Sequence, residues 1–374
     1  MNDSIRSLFI AANNYTYLNS AAVSPLPATA MKGVISQMID VSSNGGLGYL
    51  GWLEHKESAR SLLAGMMNLR AEQVAFTRNT SDGIATIANG LSWRQGDNIV
   101  SFANEFPANW YPWKRVRDQY GVEIRLCPER DGRIDLDEFC SMIDHNTRVV
   151  AISAVQYASG FKADLERIGR AARAVDALFV VDVIQALGAC GFDLPAQYVD
   201  VASGASHKWL CAPEGCGFVY LSDRARERVK PTLVGWISVE TPWDFNDREQ
   251  HWRSTALAWE SGTGCSALFY GLEQSLKLLT NTGLSNIEQY TLDLSDQLCD
   301  GIASKNYEIV SSRAPHERSA IICIKHRNGL SSSEIAAKLE KQKIIVSPRG
   351  NRLRIATHFY NNSADVDRLL EALP

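Results

Sequence analysis

Short apolar runs separated by amphipathic stretches dominate the first 220 residues of the chain. The runs lie at 74–77, 98–102, 123–126, 149–153, 178–183, 199–203 and 217–221, and Gly, Asn, Asp or Ser bounds most of them. Unbroken apolarity over so few residues marks strands covered on both faces, because a sheet with one wet face would alternate. Between the runs, 80–91, 110–120, 136–143 and 164–175 carry apolar positions at helical spacing. Strands alternating with helices predict an α/β fold built on a mainly parallel seven-stranded sheet, with helices on both faces. Ligands of such sheets bind at the carboxyl ends of the strands. The segments at 78–83, 105–109, 182–185 and 203–208 all fall there.

The pattern changes after residue 263. A long helix at 267–279 is followed by a smaller α+β arrangement: strands at 319–324, 343–347 and 352–356, a helix at 332–341 and a last helix from 363. Two domains are expected, 17–263 and 264–374, with residues 1–16 packing on the second. One motif is misleading. Gly46, Gly48 and Gly51 have the Gly-x-Gly-x-x-Gly spacing of a dinucleotide fingerprint, but the stretch before them, 31–41, reads as helix where that motif needs a strand. A mobile loop near the substrate is expected here, and no nicotinamide or flavin.

Composition narrows the class further. A chain of 374 residues, 45% hydrophobic and 21% charged, has ordinary globular composition. The net charge of −4 gives no electrostatic case for nucleic acid or anionic membranes. No apolar run reaches the roughly 18–20 residues of a membrane span. The first residues lack a basic stretch followed by an apolar one, so no secretory signal is expected. Eight scattered cysteines with no Cys-x-x-Cys pair read as reduced thiols, and a cytoplasmic location is expected. The seven histidines have no ligand spacing to cysteines or carboxylates, so no metal site is expected.

The chemistry is carried by two strand ends. Asp182 closes the run at 178–181, and Lys208 follows the run at 199–203 within Ser-Gly-Ala-Ser-His-Lys-Trp-Leu at 203–210. A lysine amine can condense with an aldehyde, and a carboxylate can keep a pyridine nitrogen protonated, which together are the needs of a pyridoxal 5′-phosphate (PLP) enzyme. An Asp at a strand end is also an ordinary helix cap. Gln185 lies within reach of a cofactor's phenolic oxygen. Thr80 and Ser81 follow the first strand and open a helix, whose free N–H groups and dipole favour an anion. Phe106 offers an aromatic face for a planar ring, although core packing is the commoner role of a Phe there. Arg349, Arg352 and Arg354 cluster near the C-terminus, and strand alternation puts Arg352 and Arg354 on one face. A guanidinium can grip a carboxylate in bidentate fashion. Which of these arginines does so stays open.

Taken together, these segments resemble the class V aminotransferase family of fold-type I PLP enzymes, a group that includes cysteine desulfurases, kynureninases and isopenicillin N epimerase. The likeness runs from Tyr-Leu-Asn-Ser-Ala-Ala at 17–22 to Phe-Tyr-Asn at 359–361, and is most specific at Asp-Val-Ile-Gln (182–185) and His207-Lys208. The resemblance implies the following roles. Lys208 is the Schiff-base lysine and proton shuttle, and Asp182 pairs with the ring nitrogen. Gln185 contacts the phenolic oxygen, with Tyr157 near it and near the substrate. Thr80, Ser81 and His207 hold the phosphate, with Ser206 a weaker candidate. Phe106 stacks on the ring and Asn109 sits close by. Thr263, joined by Trp236, reaches the phosphate in the other subunit of a homodimer with shared active sites. Arg354 binds the α-carboxylate, and Asn19 and Tyr49 contact the substrate.

The chain also departs from the family pattern. Phe106 stands where cysteine desulfurases have a histidine, the short stretch 344–354 has no cysteine, and Ala205 replaces a serine frequent three residues before the lysine. Persulfide transfer is therefore not expected. Chemistry at the α-carbon of an amino acid remains, with transamination placed first, a β-eliminating carbon–sulfur or carbon–selenium lyase second and epimerisation third. A non-catalytic PLP-binding module is the reading of a different class. The substrate side chain is not legible.

Overall fold

A computed structural model describes residues 3–374. Seven strands form the large sheet: β1 Val74–Thr77, β2 Asn98–Phe102, β3 Glu123–Cys127, β4 Thr147–Ser153, β5 Leu178–Asp182, β6 Val201–Ala205 and β7 Gly217–Leu221. Their spatial order is β1-β7-β6-β5-β4-β2-β3. All neighbours pair parallel except at β7, which runs antiparallel to both β1 and β6. Most strand positions are buried, and the exposed ones gather on the edge strand β3. This burial is why the runs read as continuous rather than alternating.

Helices cover both faces. The first are α1 Ala28–Asn44, α2 Tyr49–Gly65, α3 Thr80–Gly90, α4 Tyr111–Tyr120 and α5 Leu165–Ala174, followed by α6 Ser266–Thr282 and α7 Leu284–Ala303. The glycine stretch expected as a mobile loop is instead a single 3-10 turn, Gly45–Gly48, leading into α2, and Tyr49 is the first residue of that helix. The strand expected at 199–203 begins two residues later, because the chain still turns at Tyr198 with φ +59°.

A second, antiparallel sheet is built from β8 Tyr307–Ile309, β9 Ile321–His326, β10 Ser347–Arg349 and β11 Arg352–Ala356, in the order β8-β9-β11-β10. Helices α8 Ser332–Lys341 and α9 Ser363–Ala372 cover it. Residues near the start of the chain join this part. Thr16 and Tyr17 pair parallel with Ile344 and Ile345, and Arg6 forms an ion pair with Asp365 at 2.6 Å. The crossover between the two cores does not fall at residue 264. Phe269, Leu272, Leu276 and Leu279 of α6 share the core of the large sheet, whereas Leu294, Leu298 and Ile302 of α7 pack with the small one.

The sheets meet where function needs them. After β4 the chain turns at Gly160, with φ +74°, and a Cβ there would lie 2.2 Å from the Ile321 carbonyl of β9. This close approach sets β11, which carries Arg354, beside the carboxyl ends of β4 and β5.

Candidate active site

Three strand ends and one helix start converge on a cleft of about 320 Å³. Its lining includes Thr80, Ser81, Phe106, Tyr157, Gln185, His207, Lys208 and Arg354. Asp182 ends β5 beneath it. The register places Asp182 opposite Ser153 of β4 on one side and Ser203 of β6 on the other, so that its side chain leaves the sheet among fully packed strands.

The electrostatics follow from burial. Asp182 is 1% exposed; its Oδ1 accepts from the Ile184 N–H at 2.9 Å and its Oδ2 has no partner. Burial pushes its carboxyl up to about 6, against the pull of the Lys208 charge. Lys208 is 8% exposed, and its amine is brought down to about 8, first by burial and further by Arg354 and Arg349, with Asp182 opposing. Its Nζ lies 5.3 Å from the centre of the Phe106 ring. That ring packs edge-on against Tyr157, at 5.2 Å between centroids. Arg354 is buried, and donates from one terminal nitrogen to the Tyr157 carbonyl at 3.0 Å, leaving Nε and the other terminal nitrogen unpartnered. Burial, and then Arg349, bring its guanidinium down to about 10.

The start of α3 forms an anion cradle. Asn79 caps the helix by accepting from the Asp82 N–H at 2.9 Å, which leaves the side chains of Thr80 and Ser81 facing the cleft. Thr80 Oγ1 is buried without a partner. Gly83 lets the helix sit against β6; a Cβ there would lie 2.3 Å from Ser203 Oγ.

These unpartnered buried atoms are a test of fit for PLP. A phosphate suits Thr80 Oγ1 and the helix N-terminus, a protonated ring nitrogen suits Asp182 Oδ2, and an amino-acid carboxylate suits the free N–H groups of Arg354. The set fits the group.

Other sequence-predicted residues lie elsewhere. Asn109 is fully buried behind Phe106, donating to Glu105 at 3.1 Å and accepting from Trp113 at 3.0 Å. Ser206 gives its hydroxyl to the Pro213 carbonyl and does not line the cleft. Gln185 lines the cleft but is held between the Ala21 carbonyl and the Trp209 indole, each at 2.9 Å, leaving one amide N–H free. Asn19 bridges to Ala356 through its backbone, and its Oδ1 is buried without a partner. Tyr49, Trp236 and Thr263 line a separate cavity of about 180 Å³ with Trp52, Trp243 and Glu260. Within one protomer they do not meet Lys208.

One residue that supports the site was missed by sequence reasoning, and another was named there without a place. Glu105 is buried and accepts from the Ser153 backbone and hydroxyl, from Gln156 and from Asn109. It braces the Phe106 segment against the end of β4. Arg349 lines the cleft beside Arg354. Sequence reading named Arg349 in the arginine cluster but not its face, which is set by the turn at Gly350 that carries β10 back onto β11.

Fold and cleft together define a PLP-dependent enzyme of fold type I. The aminotransferase class-V family model matches residues 16–369, and the chain belongs to that family. A probable cysteine desulfurase of Methanothermobacter thermautotrophicus is 27% identical, covering 96% of this chain and 94% of that protein. An uncharacterised aminotransferase of Bacillus subtilis, YcbU, is 24% identical over 98% and 96%. Among solved structures, the cystine C–S lyase C-DES bound to its product cysteine persulfide aligns with a TM-score of 0.90 at 22% identity, over 97% of this chain and 98% of that one; the likeness is one of fold.

Proposed function

We propose that this enzyme transaminates an α-amino acid, with Lys208 carrying the proton and Arg354 holding the α-carboxylate. The observation that carries this reading is the asymmetry of the cleft: Lys208 is its one amine, and the group it faces, Phe106, is aromatic and cannot act as a second base. When bound, PLP supplies the electron-withdrawing ring that lets the α-carbon lose its proton. Asp182 holds the counter-charge for a protonated ring nitrogen, and Thr80, Ser81 and His207 hold the phosphate. Burial keeps His207 below its usual range, so it serves as a neutral donor. Lys208, with an amine brought down to about 8, takes the Cα proton and returns it on its own side of the site. One-sided proton delivery supports transamination over two-base epimerisation. No cysteine is among the residues lining the cleft, and the β10–β11 hairpin turns through Gly350 and Asn351 alone, which argues against persulfide transfer.

The active unit in this reading is a homodimer. Trp236, Trp243, Phe245 and Trp252 are 38–69% exposed, and the first three pack edge-on or tilted against one another at 5.1–6.3 Å between centroids. An exposed aromatic patch of this kind is a protein interface. It would bring Thr263, Trp236 and Tyr49 to the partner's cleft. The eight free cysteines are in keeping with a reducing, cytoplasmic setting.

A visible spectrum of the holoenzyme tests the reaction. One amino acid of a panel is expected to bleach the cofactor band with release of one equivalent of 2-oxo acid, and turnover is expected to need an added 2-oxo acid. Catalytic 2-oxo acid with ammonia, and no added acceptor, would make the enzyme a β-eliminating lyase such as the C–S lyase it resembles in fold.

A further inference from the structure

The hairpin that supplies Arg354 presents three guanidinium groups on one face. Ser347 lies opposite Arg354 and Arg349 opposite Arg352. Opposed residues of an antiparallel pair share a face, as do alternate residues along each strand. Arg349, Arg352 and Arg354 therefore project together. Arg352 is neutralised by Glu129 at 2.7 Å. Arg354 is aimed into the cleft with two unpartnered nitrogens. Arg349 also lines the cleft, half-buried, and among the described residues its side chain donates to the adjacent Pro348 carbonyl at 2.8 Å. Among the described residues no carboxylate forms an ion pair with it. A cation held beside Lys208 and Arg354 without an acid disfavours the other two charges, and its influence is felt at both. Such an arrangement becomes favourable once anions enter.

The anions can be assigned by what is left over. Thr80, Ser81 and His207 serve the phosphate, and Arg354 serves the α-carboxylate. The remaining walls near the mouth, Phe106, Tyr157, Ala21 and Ile184, offer aromatic or apolar surface. Arg349 is the one charged group free to meet the substrate's side chain. We propose that Arg349 is the specificity-determining residue of this cleft and recognises a second carboxylate, so that the enzyme takes α-amino dicarboxylic acids in preference to neutral amino acids. This rests on the reading of Arg354 as the α-carboxylate residue.

The test uses the holoenzyme and two sets of probes. Aspartate and glutamate are compared with alanine and norvaline for KM. Succinate and glutarate are compared with butyrate and valerate for dissociation constant by calorimetry, a binding readout that needs no turnover. Arg349→Gln is expected to raise KM and Kd for the dicarboxylic members about 10–100-fold, the usual effect of losing a charge-assisted bidentate contact, with the neutral members changed less than about threefold. Arg349→Lys is expected to recover part of the loss by restoring charge without the fork. Arg354→Ala is expected to weaken both sets alike. Equal losses for both sets in Arg349→Gln, or no loss in either, would overturn the proposal. If no amino acid of either set perturbs the holoenzyme spectrum, the transaminase reading itself fails, while the glutarate–valerate comparison still decides the role of Arg349.

Discussion

Replacing Asp182 by Asn should move apoprotein stability and cofactor affinity in opposite directions. Asp182 is fully enclosed, and burial lifts its carboxyl from 3.8 to about 6. A folded-state pKa above the unfolded one means that the native protein keeps its proton longer on titration. The contribution of this one group to stability is therefore largest below pH 3.8, falls as pH rises through about 6, and is flat above. At about 1.4 kcal/mol per pH unit of displacement, the ionised carboxylate costs the cofactor-free fold about 3 kcal/mol at pH 7. The Asn side chain keeps an oxygen for the Ile184 N–H and removes the charge. Lys208 loses its counter-ion in the variant, so this figure is an upper bound on the gain. The Asn apoprotein should thus exceed the wild type by up to about 3 kcal/mol at pH 7, narrowing to about 1 kcal/mol at pH 4.5. Cofactor affinity should fall about 10–100-fold, from a lost charge-assisted hydrogen bond of about 1.5–3 kcal/mol. Urea unfolding of both apoproteins at the two pH values measures the first quantity, and equilibrium dialysis with PLP the second. A variant less stable than the wild type at pH 7, with unchanged affinity, would refute the account of Asp182 as a buried charge awaiting a cation.

Further expectations follow from the same electrostatics. Lys208→Ala should fold and yield no borohydride-fixed cofactor; an adduct on another lysine, located by peptide mass, would displace Lys208 from its role. Only the unprotonated amine is nucleophilic, so with Lys208 near 8 the rate of cofactor uptake should rise about fivefold from pH 7 to 8 and level off beyond 9, as followed by absorbance. A rate flat across that window would refute the lowered amine. Glu260→Gln should destabilise the fold by about 3–5 kcal/mol, because Arg60 is 1% exposed and loses the carboxylate that Arg60, Lys56 and the Phe76 N–H share. A loss below about 1 kcal/mol on denaturation would contradict that.

The large sheet was legible because its strands are buried on both faces and its helices are not. That contrast writes continuous apolar runs beside periodic ones, and Asp182 and Lys208 declare themselves by ending or following such runs. Helix α2 resisted because its buried face includes Arg60, a charge that breaks the apolar period and is satisfied by Glu57 on the same helix and by Glu260, two hundred residues away. Helix α7 is different. Ile287, Leu294, Leu298 and Ile302 repeat at helical spacing, and the pattern was there to be read between 280 and 318. The position of Tyr49, Trp236 and Thr263 in a separate cavity is of a third kind. In the proposed homodimer these residues would meet the partner's cleft, and contacts of that kind look unconnected to the chain's own lysine.

What stayed out of reach inside the cleft depends on pairing rather than on residue type. Alternation along one strand puts Arg352 and Arg354 on a common face without further information. Arg349 joins them only because the chain reverses through Gly350 and Asn351, which puts Arg349 directly across from Arg352. One more residue in that turn would shift the register and send Arg349 to the other face. Glu105 is a similar case. A carboxylate after a strand end reads as surface, and here it is buried where three residues, Ser153, Gln156 and Asn109, bring four donors to it. Hydrogen bonds donated to the carboxylate favour its ionised form. Burial and the nearby Asp182 charge act the other way and push Glu105 up to about 7. The opposing pulls leave a second buried carboxylate close to Asp182, partly protonated at neutral pH, where the sequence alone displays only a polar residue after a strand.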